Sequence, residues 1–155
     1  MRLSDYIREN TLDADLPAAT REECIEQMAE LIRDGFGITD HRAIADSLLE
    51  RETVMSTGIG GGVAIPHTTS SEIDEAAISI AGVKGGIDFD SIDGKPVFLI
   101  FLFVCSDKLP NLHLRVLARL ARLAKHPSFI KNLKKAKSAD DMMKAIKDEE
   151  NKHLI

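Results

Sequence analysis

The sequence lacks what would place it in a membrane, in an oxidising compartment or on nucleic acid. No run approaches the roughly 20 apolar residues needed to span a bilayer. The longest, Val97 to Cys105, has the length of a buried strand. The N-terminus, MRLSDYIREN, has no apolar signal-peptide core. There are only two cysteines, Cys24 and Cys105, far apart and each in an apolar segment. That pattern predicts two buried, reduced thiols rather than a disulfide. There is no basic excess: Lys and Arg number 20 against 25 Asp and Glu, giving a formal charge of −5. A nucleic-acid partner is therefore not expected. Internal repeats, low-complexity tracts and Ser/Gly/Pro linkers are also missing. The expectation is a cytoplasmic protein, not inserted in a membrane, with one domain over residues 1–155.

What is present is an ordinary core-forming composition, 44 % apolar and 29 % charged. Residues 1–19 predict a short helix or extended segment packed on the domain. Thr20 and Glu23 form a capping-box pattern for a helix over about 20–34, with Cys24, Ile25, Met28, Leu31 and Ile32 at helical spacing. Gly35 reads as its stop. A second helix is expected over about 39–51. The pattern then changes to a glycine-rich segment ending in a short strand, Val63 to Ile65. Strands follow over Ile78 to Val83 and Val97 to Val104, the last continuously apolar as a strand covered on both faces should be. Helices return: one capped by Asn111, one starting at Pro127, and one capped by Ser138 with Asp141. The fold class expected is α/β, with a small mixed central sheet flanked by helices on both faces.

The most informative segment runs from Ser56 to His67. Four glycines lie within positions 58–62, followed by Val63-Ala64-Ile65, Pro66 and His67. Glycines let a backbone turn tightly and bring N–H groups close to an anion. The Lys-Ser/Thr of a P-loop is missing, Val63 breaks the dinucleotide fingerprint, and there is no Gly-x-Ser-x-Gly elbow. The five histidines and two cysteines show no short metal-ligand spacing. Spacing alone therefore says either an anion site near a histidine or a turn with an incidental one. His113, in the first turn of the helix after Asn111, lies on an apolar face with Val116, Leu117, Leu120 and Ala124. It is either a core histidine or, with the helix N-terminus, part of a phosphoryl site. Arg51 is either a solvated charge or a bidentate phosphate ligand.

Taken together, Leu49-Glu50-Arg51-Glu52, Ser56-Thr57-Gly58-Ile59-Gly60 and Gly62-Val63-Ala64-Ile65-Pro66-His67 resemble the enzyme IIA domain of the bacterial sugar phosphotransferase system. The likeness is to the fructose/mannitol class, which includes the nitrogen-regulatory IIA proteins. Gly86-Ile87-Asp88-Phe89-Asp90, Asp93-Gly94-Lys95-Pro96-Val97 and His113-Leu114 fit the same family in the same order, and the likeness spans about residues 20–147. It implies that His67 is the phosphorylated nucleophile, with His113 and Arg51 as partners and Thr57, Gly58 and Gly60 cradling the phosphate. It implies a phosphoryl donor of the HPr type or its nitrogen-branch relative, a IIB domain or regulatory target as recipient, and no cofactor or metal. Met55 stands where a glycine is common, Cys105 where a proline is common, and Thr68 where a small residue usually sits. The Ser-Thr-Gly-Ile-Gly-x-Gly-Val-Ala-Ile-Pro-His form, and a chain with no IIB, HPr or membrane segment attached, lean towards the nitrogen-regulatory branch. A fructose- or mannitol-type transport IIA is the alternative.

Overall fold

The computed structural model describes residues 1–153. A 3₁₀ turn, Leu3–Tyr6, leads into β1 (Ile7–Asp13). Two helices follow, α1 (Arg21–Phe36) and α2 (His41–Val54). Three short strands come next: β2 (Gly58–Gly60), β3 (Val63–Ala64) and β4 (His67–Ser70). Then come β5 (Ala76–Ile87), β6 (Val97–Ser106), and helices α3 (Pro110–Leu123), α4 (Pro127–Lys135) and α5 (Ala139–His153). Among the described residues the six strands form one mixed sheet in the order β1-β5-β6-β3-β2, with β4 also paired to β6.

Side chains alternate across a strand, so a central strand must be apolar on both faces. In β6, Leu99, Phe101, Phe103 and Cys105 pack under α3, α4 and α5, while Ile100, Leu102 and Val104 pack under α1 and α2. This is the helix-on-both-faces sheet expected. The extended part of the N-terminal segment is β1, an edge strand parallel to β5. Its middle, Arg8 to Asn10, is exposed, which hides the strand from an apolar pattern. The segment is tied down by the buried Glu150 carboxylate, which accepts from the backbone N–H of Leu3 at 2.5 Å and of Ser4 at 3.2 Å.

Thr20 caps α1 as expected, accepting from the Glu23 N–H at 3.1 Å. Pro127 starts α4, and Ser138 accepts from the Asp141 N–H at 3.1 Å at the start of α5. Both cysteines are free and buried, and burial pushes the Cys24 thiol up to about 12. Three boundaries differ from expectation. Helix α2 starts at His41, because Asp40 accepts from the Ala43 N–H. Helix α3 is not capped by Asn111; Leu109 is its cap residue and Pro110 its first residue, since a proline there loses no helical hydrogen bond.

Gly35 does not end α1. It lies inside the helix, and the stop is Gly37, whose φ of 68° puts it in the left-handed region. Gly35 is small for another reason: a Cβ there would meet Thr11 Cγ2 at 2.3 Å, where α1 crosses β1. Thr11 cannot retreat, because its hydroxyl is held by the carbonyls of Arg8 and Ile78. Alanine is the better helix former by about 1 kcal/mol, yet overpacking costs about 1–3 kcal/mol. Gly35→Ala is therefore expected to lower stability in urea titration; an increase would show that β1 yields to the new methyl.

Candidate active site

Strands β3 and β4 are one strand interrupted at Ile65-Pro66. Val63 and Ala64 pair with Leu99 and Ile100, and His67 to Ser70 pair with Phe103 to Ser106, in unchanged register. Proline has no N–H to give to a ladder. The interruption is bridged by its carbonyl instead, which accepts from the Phe103 N–H at 3.1 Å. His67 thus opens β4 rather than hanging off a strand end. It sits opposite Phe103, and the two rings stack at 5.3 Å with only 9° between planes.

Register also selects the face. His67 points to the α3 side and Thr68 to the α2 side, where its hydroxyl shares a hydrogen bond with Ser47 at 2.5 Å. Across from His67 stands His113, on α3, with ring centroids 5.5 Å apart and planes tilted by 56°. Phe103 touches both imidazoles, its centroid lying 5.1 Å from that of His113. The structure thus brings together two histidines 46 positions apart in sequence.

The His67 tautomer follows from one contact. Its Nδ1 lies 2.8 Å from the Ile65 carbonyl oxygen. A carbonyl can only accept, so Nδ1 carries the proton in a hydrogen-bonded neutral ring. Nε2 then holds the free lone pair. His113 differs: its Nδ1 is buried with no hydrogen-bond partner among the described residues. Burial, then the charges of His67 and Arg51, depress its pKa, so the ring favours the neutral form. Arg51 lies exposed in the last turn of α2, near enough for that charge to be felt.

The glycine loop is built by its own backbone. Gly60, Gly61 and Gly62 have φ of 92°, 67° and 80°, a run of left-handed residues that other side chains would resist. Gly58 has a different constraint, since a Cβ there would meet the Ser91 hydroxyl at 2.3 Å. The N–H groups of Thr57 and Gly58 are already committed, to Glu52 Oε2 at 3.2 Å and to Ser56 Oγ at 3.0 Å. In this state those two residues set the shape of the loop rather than offer free donors to a phosphate. Gly60 sits at the turn into β3.

Glu52 is the site residue that sequence reasoning passed over. Its side chain is only 1 % exposed and faces Arg21 Nη1 at 3.7 Å. Its carboxylate takes both the backbone N–H and the hydroxyl of Thr57. In the sequence it stood within the Leu49-Glu50-Arg51-Glu52 motif of the resemblance, beside Arg51, but was given no role there.

The chain matches the family model described as phosphoenolpyruvate-dependent sugar phosphotransferase system, EIIA 2, over residues 5–149. It belongs to that family. The fructose-specific EIIA component of Haloferax volcanii is 35 % identical over 79 % of this chain and 79 % of its own length. The fructose-specific EIIABC component of Bacillus subtilis is 31 % identical over 94 % of this chain, which spans only 23 % of that longer protein. In structure, the nitrogen regulatory protein IIA-Ntr of Neisseria meningitidis superposes with a TM-score of 0.84 at 27 % identity, covering 93 % of this chain and 98 % of that one. Membership makes this EIIA 2 chain a component of a phosphotransfer system, and the histidine pair and glycine loop lie inside the matched span.

Two outcomes are expected. Glu52→Ala leaves the Thr57 donors without their buried acceptor, at a cost of about 1–3 kcal/mol. Hydrogen exchange should accelerate at Thr57 and the loop amides while β6 stays protected; unchanged exchange at Thr57 would show that the carboxylate is not its anchor. For His113 the folded pKa lies below the unfolded value of 6.5. The unfolded chain therefore binds more protons at this position as pH falls below 6.5, and stability drops there while above it the residue imposes no pH dependence. His113→Gln should flatten that acid limb in thermal melts, and an unchanged slope would assign the limb to other groups.

Proposed function

We propose that His67 is the phosphoryl acceptor and that Nε2 is the atom that forms the bond. The observation that carries this reading is the Nδ1–H to Ile65 carbonyl contact, which leaves Nε2 unprotonated and fixes the ring plane. Nε2 attacks the phosphorus of a phosphohistidine donor; the new P–N bond forms as the donor's P–N bond breaks, and that electron pair returns to the donor imidazole. No proton has to leave Nε2, so no general base is needed. The phosphorylated ring gains positive charge, and the Ile65 carbonyl then accepts a stronger, charge-assisted hydrogen bond. What remains is to place and balance the phosphoryl oxygens, which is the usual demand of phosphoryl transfer. Arg51 supplies the guanidinium and His113 a ring N–H.

The donor is an HPr-type protein or its nitrogen-branch relative, acting in the cytoplasm on a single EIIA domain over residues 1–155. An apolar rim favours such a transient protein contact. Val54, Met55, Ile59, Ile92, Leu109 and Leu114 are exposed large apolar side chains on segments flanking the site. Leu112 is not among them; it is 6 % exposed and belongs to the core under α3.

The downstream role is nitrogen or metabolic regulation through target proteins. The full-length match to the Neisseria IIA-Ntr fold supports it. The second reading, relay to a IIB domain in fructose- or mannitol-type transport, is favoured by the 35 % identity to the Haloferax fructose EIIA component. Incubation with a phosphorylated fructose-type IIB chain separates them: rapid phosphate exchange with its active-site cysteine supports relay, and its absence supports regulation.

The acceptor is tested with phosphorylated HPr. Wild-type protein should take up acid-labile phosphate, nitrogen-resolved NMR should place it on Nε2, and His67→Ala should take up none. His113→Ala should still be labelled at His67, about 10²–10³ slower, the usual cost of losing one stabilising contact. Phosphate on His113, or on Nδ1 of His67, would overturn the assignment.

A further inference from the structure

The overall charge of −5 hides a strong segregation. Residues 108–138 carry nine of the 20 Lys and Arg and none of the 25 Asp and Glu. This stretch is α3 and α4 with their connections. None of these nine Lys and Arg forms a salt bridge among the described residues. A basic face without ion-pair partners on an otherwise acidic protein attracts an acidic partner.

The face also has shape. A groove of about 840 Å³ runs between the C-terminal half of α3 and α4 and reaches the glycine loop at Gly60 and Gly61. Its apolar lining includes Ile59, Ala121, Ala124 and Ile130, and Lys125, Lys131 and Lys134 supply the charge. On α4 the lining recurs at Pro127, Ile130, Lys131 and Lys134, one face of the helix, while α3 presents small alanines that leave room. None of His67, His113 and Arg51 lines it.

We infer that this groove docks an amphipathic helix of a partner protein, with an aliphatic stripe seated between α3 and α4 and acidic residues flanking it against the three lysines. A groove that takes apolar anchors at helical spacing is a known way to hold such a helix. Charge complementarity selects the acidic flanks. The chemistry fits nucleic acid poorly: the apolar lining offers nothing to phosphates, and no aromatic ring in it stacks a base. The docking is independent of which histidine accepts phosphate.

The test uses the full chain and a fluorescein-labelled helical peptide of about 18 residues, or about 27 Å at 1.5 Å per residue, with leucines at i, i+3, i+4 and i+7 and glutamates beside them. Fluorescence anisotropy should show saturable binding, weakened by salt as the screening length shortens. Amide shifts should map to residues 59–61 and 121–134. The variant Lys125→Glu/Lys131→Glu/Lys134→Glu should bind at least about tenfold more weakly. The milder Lys→Gln triple should fall between, and both should keep the wild-type melting curve and rate of phosphate labelling. A peptide with its leucines changed to serine should lose binding to the wild type. The inference fails if the serine peptide binds as well, since charge alone would then suffice. It fails if a short DNA duplex binds more tightly than the peptide. It fails if the charge-reversed protein binds undiminished, or if the shifts fall elsewhere.

Discussion

The register of β6 against β3 and β4 is the constraint on which the site depends. β6 is buried on both faces and fixed on its other side by antiparallel pairing to β5. In a strand covered by helices on both sides, a slip of one residue moves every side chain to the opposite layer. Here such a slip would turn His67 away from His113 and into the α2 layer beside Ser47. It would also bring Thr68, now hydrogen-bonded to Ser47, against Phe103. The alternation Leu99, Phe101, Phe103 on one side and Ile100, Leu102, Val104 on the other therefore fixes the position of the His67 imidazole as well as the core.

Pro66 makes that register useful. Along this strand it is the Pro66 carbonyl that turns to β6, accepting from the Phe103 N–H at 3.1 Å, so the Ile65 carbonyl stays off that ladder. At the break the carbonyl is close enough to accept from the ring two residues on, at 2.8 Å. A main-chain acceptor outside the β6 ladder is thus the group that chooses the tautomer of His67.

Much of this was legible in the sequence, because some signals are local and chemically sharp. The apolar run from Val97, the Thr20–Glu23 box, Pro127 and the glycines before His67 each have one common structural use. Others were not legible, and the reasons differ. β1 is an edge strand with an exposed polar middle, so it carries no two-faced apolar pattern. Gly35 looks like a helix stop because flexibility and small size have the same letter; only the approach of Thr11 reveals which is used. Asn111 has cap chemistry, but Pro110 before it is the better helix start. Glu52 is a buried acid in a helix whose partners lie on α1 and in the glycine loop, and neither distance can be read from a one-dimensional pattern. The candidate pair was recognisable because two histidines stood in a multi-part motif; that their rings share one phenylalanine required the sheet.

Phosphorylation at His67, as proposed, would give the site two electrostatic states. In the protein described here, His113 sits among influences of one sign: burial penalises its cation, and Arg51, with His67 whenever that ring is protonated, repels a proton. A phosphoryl group on Nε2 of His67 would bring about −1.5 to −2 charges to the same place. The sign of the local field then reverses, and the protonated form of His113 gains a partner where it had only repulsion. Its buried Nδ1, unpaired now, belongs to a ring that can then donate from both nitrogens. Arg51, exposed and on the opposite helix layer, can close on the same charge without leaving a buried cation behind when the phosphate departs. A carrier has to hold its cargo without trapping it. His113, whose charge would be favoured chiefly while the phosphate is present, and Arg51, a permanent but solvent-exposed guanidinium, would meet that need better than a buried ion pair, whose desolvation would have to be met in both states.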